Sequence, residues 1–458
     1  MSASTTLVVL GASGDMASRL LLPALGQLLH RESRRRITLV GSDAKDWDDA
    51  HFRDVVKVAF DEVGATGPAV DHVLDSVTYR KADATSATDL GALVSGIRGR
   101  LALYFALPPA IAAASCAALG GVTLPANTVL ALEKPFGTDA ASATALNETL
   151  AGLVPEEHVF RVDHFLGRST VLNLLGMRFA NRVFEPVWSA RDVESVVIRY
   201  DEALGLEGRA GYYDRAGALT DMIQSHLVQV LAFVAMAPPA TLQAIDLRDA
   251  TAAVLRATRV WQGDPVRNSW RGRYVAGAVG RRRLVSYVDE PGVDPARQTE
   301  TLAQARFEVN TQRWAGVPFI LRSGKALGHP RTEIVVRFRP VSHLPTGFTG
   351  DAPGAVLRFS LGPDRVSLEL NVNGGADPFR LERDALEADL GEGTLLAYSE
   401  VLDGLLTGDA ALSVRGDAAV QCWRIVEPIL AAWKDGSVPL DDYPAGSGGP
   451  SGWPDLGD

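Results

Sequence analysis

The stretch Leu7–Ala17 reads LVVLGASGDMA and decides the fold of the first part of the chain. Its apolar run has the length of a strand and ends in glycine, and the residues that follow open a helix. Gly11 allows a tight turn, and Gly14 allows the backbone to approach a pyrophosphate, which a helix N-terminus favours. The spacing is G-x-x-G-x-x-A, so the turn alone also fits a glycine-rich connection that binds no ligand.

Strand and helix patterns alternate through the first third of the chain. Helical patterns cover residues 49–63, 87–97 and 110–119, and β-rich runs lie at 6–10, 37–41, 77–80, 101–106, 128–132 and 159–162. Alternating β and α segments predict a parallel sheet that is covered on both faces. We place a domain boundary directly after the last of these strands, at Asp163.

The rest of the chain has a different pattern. Strands are predicted at 193–200, 284–288, 305–309, 318–321, 333–338, 355–359 and 366–370, and helices at 212–236, 395–406 and 418–433. A run of strands flanked by helices is an α+β pattern. The tail at 444–458 is rich in Gly, Ser and Pro, so we expect it to lie loosely on the surface.

The composition describes an ordinary globular protein. Of 458 residues, 47% are hydrophobic and 22% are charged, and the net charge of −10 argues against non-specific nucleic-acid binding. Cys116 and Cys422 lack metal-ligand spacing, so we expect reduced core thiols and no metal. We find no basic leader and no segment near the roughly 20 apolar residues of a membrane helix. A cytoplasmic protein without nucleic-acid or membrane partners is therefore expected.

The second predicted strand ends in an acid, Asp43, followed by Ala44 and Lys45. An acid at this point typically accepts hydrogen bonds from the ribose of NAD and repels the 2′-phosphate of NADP. Asp43 also fits as the cap of the following turn, and Lys45 fits as a partner of a 2′-phosphate. The sequence favours NAD without excluding NADP.

Three later segments concentrate polar groups that suit the oxidation of a hydroxyl. They read EKPFG at 133–137, RVDHFLGR at 161–168 and DMIQSH at 221–226. A base must remove the hydroxyl proton as hydride leaves carbon, and histidine titrates near neutrality. A lone histidine in an apolar helix, such as His226, is more often a buried packing residue. Only the combination of the three segments indicates a catalytic site.

Together with the glycine-rich turn, these segments resemble the glucose-6-phosphate dehydrogenase family over nearly the whole chain. The patterns and the resemblance predict an α/β Rossmann-type dinucleotide-binding domain over residues 1–163. They predict an α+β substrate-binding and dimerisation domain with a large, mainly antiparallel sheet over 164–458. The resemblance also implies an active site in the cleft between the domains and a homodimer formed through the second sheet. The implied reaction moves hydride from C1 of an aldohexose or its phosphate to NAD or NADP and yields a lactone.

The resemblance assigns roles to individual residues. It implies that His226 is the general base and that Asp163 orients it. The implied sugar and phosphate contacts are Lys134, His164, Arg168, Glu202, Asp221 and Lys325. The implied cofactor contacts are Gly11, Ser13, Gly14, Asp15, Met16, Asp43, Pro108 and Lys134. For Pro108, the Pro-Pro pair also fits a plain strand stop.

Several residues depart from the family pattern, mostly where the family grips phosphate. Phe165 replaces a tyrosine, Arg168 replaces a lysine and Pro330 replaces a second lysine, although Arg331 follows it. Thr220 stands where the family has an arginine. Arginine and lysine are not equivalent at a shaped anion site. Two alternatives therefore stay open: a dehydrogenase of an unphosphorylated or differently substituted sugar, and a catalytically silent regulatory relative.

Overall fold

A computed structural model describes residues 5–391 and 395–456 of the chain. The chain divides into two compact units. The first unit contains Met1–Arg168, Pro239–Ala252 and Gly393–Gln421, and the second contains Ser169–Pro238, Ala253–Glu392 and Cys422–Asp458.

The strands lie in both units. In chain order they are β1 Thr5–Leu10, β2 Ile37–Asp43, β3 Thr78–Lys81, β4 Arg100–Phe105, β5 Val129–Glu133, β6 Val159–Val162, β7 Val193–Asp201, β8 Thr258–Val260, β9 Ser269–Val275, β10 Gly277–Val279, β11 Arg282–Leu284, β12 Leu302–Val309, β13 Phe319–Gly324, β14 Thr332–Phe338, β15 Val356–Leu361, β16 Asp364–Asn373, β17 Leu381–Asp389, β18 Ser413–Val414 and β19 Leu440–Pro444.

The α-helices, in chain order, are α1 Leu22–Arg31, α2 Asp49–Glu62, α3 Pro68–Ser76, α4 Ala87–Val94, α5 Pro109–Leu119, α6 Ala140–Ala151, α7 Ser169–Phe179, α8 Ala210–Ala218, α9 Val228–Ala235, α10 Ala244–Ala257, α11 Ala397–Thr407 and α12 Gly416–Lys434. Two π-helical segments, Ala17–Leu21 and Leu219–Leu227, precede α1 and α9. Short 3₁₀ turns lie at Glu156–His158, Glu185–Val187, Trp261–Gly263, Tyr287–Asp289 and Pro295–Arg297.

The first unit is built on a seven-stranded sheet in the order β18-β6-β5-β4-β1-β2-β3. Strands β1 to β6 are parallel to their neighbours, and β18 pairs antiparallel with β6. Helices connect the parallel strands, as the alternating pattern predicts. The predicted strand 159–162 has the observed bounds, and the other five of this part shift by one or two residues at an end.

Helix α11 completes the core of the first unit, although it lies far along the chain. Val401, Leu402 and Leu405 belong to the same buried cluster as Leu7 and Val9 of β1. The unit therefore continues past residue 163 to Arg168 and takes in two later segments, whereas the predicted boundary assigned all later residues to the second domain. Local patterns predict secondary structure but do not show which distant helix covers a sheet.

The second unit is built on a ten-stranded sheet. Its order is β17-β16-β15-β14-β7-β13-β12-β9-β19, and β8 pairs with β12 off this path. Most neighbours are antiparallel, and β7–β13 and β9–β19 are parallel pairs. The predicted large, mainly antiparallel sheet is confirmed. The sequence analysis predicted no counterpart for four strands of this sheet, β8, β9, β17 and β19.

Two local predictions for the second unit are wrong. The strand expected at 284–288 ends at Leu284, and a 3₁₀ turn follows at Tyr287–Asp289. The tail is packed rather than loose through Leu456: the Gly446 N–H donates to the Ala326 carbonyl at 2.8 Å, and the Trp453 indole donates to Asp441 at 2.8 Å. Residues 457–458 lie outside the described part. The glycine-rich composition had suggested a loosely packed tail. Gly446 (φ 90°) instead allows close packing, because an added Cβ would lie 1.9 Å from the Ala278 carbonyl oxygen.

The stretch Ala210–Ala235 is long and apolar enough to cross a membrane by length and composition. Of the most apolar 18 residues in this stretch, 83% are buried inside the protein, as in a core helix.

Candidate functional site

The glycine-rich turn of the first unit is held against the neighbouring strands. Gly11 has φ 81°, and an added Cβ there would lie 2.2 Å from the Ala106 carbonyl oxygen. The N–H groups of Gly11 and Ala12 donate to the Ser42 carbonyl at 2.8 and 3.1 Å. Gly14 has no side chain to cover the turn, and the Ser18 N–H donates to its carbonyl as the helix begins. This bare strand-to-helix turn fits the pyrophosphate of a dinucleotide.

The carboxylate of Asp43 ties the end of β2 to the same turn. One oxygen accepts from the Ser13 hydroxyl at 2.7 Å and its backbone N–H at 3.4 Å, and the other accepts from the Ala44 N–H at 2.7 Å. The Lys45 amine donates to the Ser13 carbonyl at 3.3 Å. The Asp43 carboxylate therefore accepts a hydrogen bond from the turn that follows β2, as a turn cap does. It also lies beside the glycine-rich turn, as a ribose-binding acid would.

The other predicted cofactor residues follow the carboxyl ends of two parallel neighbours in the first sheet, β1 and β4. Asp15 is exposed and Met16 packs against the core of the unit, both just before the π-helical segment. Pro108 is exposed and precedes α5, which begins at Pro109. The strand β4 already ends at Phe105, and the Pro-Pro pair instead opens α5.

Two parallel strands of the first unit position Lys134 and Asp163. Glu133 of β5 pairs in register with Val162 of β6, so the next residue of each strand leaves the sheet at the same edge. Burial raises the pKa of the Asp163 carboxyl to about 6, while His164, the Phe165 N–H, Lys134 and Arg168 act in the opposite direction. The Phe165 N–H donates to Asp163 at 2.9 Å. The first unit thus brings these predicted site residues together.

The Arg168 side chain stacks on the ring of Phe165. Its guanidinium carbon lies 4.5 Å from the ring centroid, and Phe165 is 2% exposed. His164 stacks on Tyr398 of α11 with centroids 5.3 Å apart and planes at 13°. Stacking fixes the plane of a guanidinium while leaving its N–H edge able to bind an anion.

In the second unit, another parallel strand pair positions Glu202 and Lys325. Gly324 of β13 pairs with Asp201 of β7, so both site residues follow directly after paired strand ends. The Lys325 ammonium contacts the Glu202 carboxylate at 2.7 Å, and the two side chains are 8% and 22% exposed. Lys325 also lies 5.2 Å from the centroid of Tyr213. Residues far apart in sequence therefore form one charged pair.

Asp221 and His226 lie on the π-helical segment Leu219–Leu227. His226 is 1% exposed, and Asp221 accepts from the Tyr212 hydroxyl at 3.3 Å. Burial first, and then the charges of Asp221 and Glu300, raise the pKa of Tyr213 well above its usual value. Asp221 and Lys325 therefore both lie near Tyr213. The prediction that Asp163 orients His226 stays a prediction.

The sequence analysis missed Glu300, which caps the segment that carries His226. A carboxylate oxygen of Glu300 accepts from the Leu219 N–H at 2.9 Å, and the Glu300 carbonyl accepts from the Ala218 N–H at 3.2 Å. Gly217 (φ 68°) makes room, since an added Cβ would lie 2.3 Å from that carboxylate. An acid at a helix N-terminus is a known signal, but this one lies in a distant loop before β12.

The fold and these residues define a two-part protein with an NAD-binding-type domain followed by a mixed-sheet domain. Family models confirm the class. "Glucose-6-phosphate dehydrogenase, NAD binding domain" matches residues 8–173, and "Glucose-6-phosphate dehydrogenase, C-terminal domain" matches residues 175–456. The chain belongs to the glucose-6-phosphate dehydrogenase family, as the resemblance predicted.

Individual relatives match along almost their full length. The chain is 38% identical to the glucose-6-phosphate 1-dehydrogenase of Gluconobacter oxydans, covering 97% of this chain and 94% of the relative. It is 35% identical to that of Zymomonas mobilis, covering 98% and 96%. A solved glucose-6-phosphate dehydrogenase in complex with glucose 6-phosphate is similar in structure, with a TM-score of 0.86, 29% identity and coverage of 98% and 96%.

Proposed function

We propose that this protein is a glucose-6-phosphate 1-dehydrogenase. Membership of the family over both parts of the chain supports the reaction class. The observation that carries the proposal is the Glu202–Lys325 pair at the end of two parallel strands, because a paired acid and ammonium suit a ring of sugar hydroxyls. The structure neighbour that holds glucose 6-phosphate supports the substrate.

In the proposed reaction, His226 removes the proton of the C1 hydroxyl. The electron pair of that O–H bond forms the C1–O double bond of the lactone as the C1 hydrogen leaves with its bonding electrons. A bound nicotinamide dinucleotide supplies the acceptor for that hydride. Asp163 holds the imidazole in the required tautomer and stabilises the imidazolium that forms.

The remaining residues bind and orient the sugar. Glu202, Asp221 and Lys325 would contact its hydroxyls, and Lys134 would serve both the sugar and the nicotinamide. His164 and Arg168 bind the phosphate, for which the stacked guanidinium offers two parallel N–H donors. The stack on Phe165 supports this role, because it orients Arg168 without the hydroxyl that the family's tyrosine supplies.

We propose that NAD is at least as good a cofactor as NADP, with Gly11, Ser13, Gly14, Asp15, Met16, Asp43 and Pro108 forming its site. The position of the Asp43 carboxylate beside Ser13 supports this, since a carboxylate there repels a 2′-phosphate. Changing Asp43 to Ala and Ala44 to Arg together shifts kcat/KM towards NADP. A hundredfold preference of the unmodified protein for NADP contradicts the proposal and makes Lys45 the residue to test.

Absorbance at 340 nm with both nicotinamides and a panel of sugars tests the function. We expect glucose 6-phosphate to give a higher kcat/KM than glucose. Faster turnover of unphosphorylated glucose supports the second candidate, a dehydrogenase of a different sugar, which Phe165 and Pro330 favour. No turnover with any sugar supports a silent regulatory relative.

We also propose a cytoplasmic homodimer that forms through the second unit's sheet. The edge strand β17 is exposed along its length, and Leu386 is 66% and nearby Phe379 is 60% exposed. The strand ends the sheet and is largely charged, so the apolar surface suited to a covering partner consists of these two side chains. A solution mass that corresponds to the monomer alone contradicts this proposal.

A further inference from the structure

Tyr104, Glu133 and Tyr398 form a hydrogen-bonded group beneath the predicted phosphate-binding segment of the first unit. The Tyr104 hydroxyl donates to one oxygen of Glu133, and the Tyr398 hydroxyl donates to the other at 3.4 Å. Tyr104 is fully buried, and Glu133 is partly buried at the end of β5. The roles assigned above to Lys134, Asp163 and His226 use none of these three residues.

The group joins elements that are distant in sequence. Tyr104 lies on β4, Glu133 on β5, and Tyr398 on the first turn of α11. Gly167 seals the same junction, because an added Cβ would lie 2.6 Å from the Ala397 carbonyl oxygen. The start of α11 is therefore fixed directly against the loop that carries His164 and Arg168.

His164 stacks on a face of the same Tyr398 ring whose hydroxyl is bonded to Glu133. The ring planes differ by 13° and the centroids are 5.3 Å apart, which is an offset stack. Burial raises the pKa of Glu133 to about 7, while the Tyr104 hydrogen bond, the Lys134 charge and the Tyr398 hydrogen bond act against the rise and Asp163 adds to it. A carboxylate with two hydroxyl donors fixes both donors in direction.

We propose that Tyr398 is a positioning residue for His164 and that Glu133 is its anchor. The aromatic ring fixes the plane of the imidazole, and the hydrogen bond to Glu133 fixes the ring. The inference rests on the proposed function only in the assignment of His164 to the substrate phosphate. The proposal predicts that changes at Tyr398 alter substrate affinity only by changing the position of His164.

A double-mutant cycle tests the route. Tyr398→Leu should raise KM for glucose 6-phosphate about three- to tenfold, the range of an aromatic stacking contact, with kcat within about twofold of the original. In a His164→Ala background the same change should alter KM by less than about twofold. An equal effect in both backgrounds, or no change of KM in the first, overturns the proposal.

Two milder variants test the anchor. Tyr398→Phe keeps the ring and removes the hydroxyl, and Glu133→Gln keeps the shape but offers only one acceptor oxygen. Each should raise KM by less than Tyr398→Leu does. The double variant Tyr398→Phe/Glu133→Gln should raise KM no more than the single variant with the larger effect. Additive effects contradict a shared anchor. Tyr274→Phe, which removes a 3.1 Å tyrosine–glutamate bond in the second unit, is the matched control and should leave KM unchanged.

A spectroscopic measurement separates failure of this inference from failure of the proposed function. The His164 Cε1 proton should be shifted by the ring current of Tyr398, and its NMR signal, assigned by its absence in His164→Ala, should move in Tyr398→Leu. If glucose 6-phosphate is not turned over, the proposed function fails and this signal still decides the inference. A signal that does not move overturns it.

Discussion

Each unit places site residues after a pair of neighbouring parallel strands, but the two pairs end differently. In the first unit, β5 and β6 are followed by Lys134 and Asp163, and in the second, β7 and β13 are followed by Glu202 and Lys325. Each pair therefore presents one lysine and one acid at one sheet edge. The second pair is in direct contact at 2.7 Å, whereas the first leaves Asp163 with a pKa raised by burial to about 6.

The difference teaches what each edge is suited to do. A direct ion pair keeps both groups charged and fixes them, which suits the binding of sugar hydroxyls. A buried acid whose pKa lies nearer to neutrality is poised to share a proton or to orient a base. We therefore expect changes in the first pair to alter turnover, and changes in the second pair to alter affinity.

The largest expected effect concerns His226, the proposed general base, which Asp163 of the first pair orients. His226→Asn should lower kcat by about 10²–10⁴, the usual contribution of a positioned general base, because asparagine cannot take the proton. Asp163→Asn should also lower kcat, since the imidazole loses the partner that selects its tautomer. Steady-state kinetics measures both, and melting and nucleotide-binding curves that stay close to the original are the control. A near-normal kcat for His226→Asn contradicts the mechanism.

The next prediction separates phosphate from sugar binding. Arg168→Ala should raise KM for glucose 6-phosphate roughly 10- to 100-fold with little change in kcat, because a charged hydrogen bond of similar strength in ground and transition states is lost. KM for glucose should not change. Lys325→Met should raise KM for both sugars, since its partner Glu202 faces the hydroxyls in the proposed site.

Arg168→Lys is the matched control, because it keeps the charge and returns the family's residue. It should recover only part of the affinity, because an ammonium keeps the charge but lacks the paired donors of the stacked guanidinium. If Arg168→Ala leaves KM for glucose 6-phosphate unchanged, this segment does not hold phosphate. That result favours a dehydrogenase of an unphosphorylated or differently substituted sugar.

A smaller effect tests how the second unit holds the segment that carries His226. Gly217→Ala should lower the free energy of unfolding by about 1–3 kcal/mol, because Gly217 has φ 68° and the new Cβ would meet the Glu300 carboxylate. Gly211→Ala, near the start of the same helix α8, is the control, since nothing lies within 4 Å of the added Cβ and no positive φ is needed there. Denaturant unfolding that ranks the two variants equally rules out this account.

The sequence predicted the first unit better than the second, for a physical reason. Its strands are joined by helical crossovers, so alternation along the chain reports directly on neighbours in the sheet. In the second unit, β7 and β13 are neighbours although more than a hundred residues separate them, and no local pattern reports that pairing. The contact between Glu202 and Lys325 follows from this pairing alone.

The missed positioning groups have the same origin. Glu300 lies in a loop before β12 and caps a segment some eighty residues earlier, and Tyr398 lies on a helix that crosses back to the first unit's sheet. The family resemblance supplied roles for residues within short contiguous motifs. It supplied none for residues whose meaning depends on which distant backbone they meet.

The last expected effect, no larger than that at Gly217, compares two buried glutamates of the second unit. Burial raises the pKa of Glu300 to about 7 from 4.5, against hydrogen bonds from Leu219 and Ala218. The folded state therefore binds this proton more tightly than the unfolded chain, so the contribution to stability is full below pH 4.5 and is lost as the pH rises through 7. Glu300→Gln keeps the acceptor oxygen and removes the charge. Its melting temperature relative to the original protein should rise between about pH 5 and about pH 8, by the equivalent of roughly 1–3 kcal/mol.

Glu333 should behave in the opposite direction. Burial opposes the charge of Glu333, but hydrogen bonds and charge from Arg199 and Arg358 outweigh it and lower its pKa. Its contribution is present above the unfolded pKa and is lost as the pH falls, so Glu333→Gln should be most destabilised near neutral pH and least in acid. Melting curves of the two variants across the same pH series make the comparison. Parallel pH dependence of the two would mean that Glu300, like Glu333, is stabilised as a charged group, and that burial does not govern its titration.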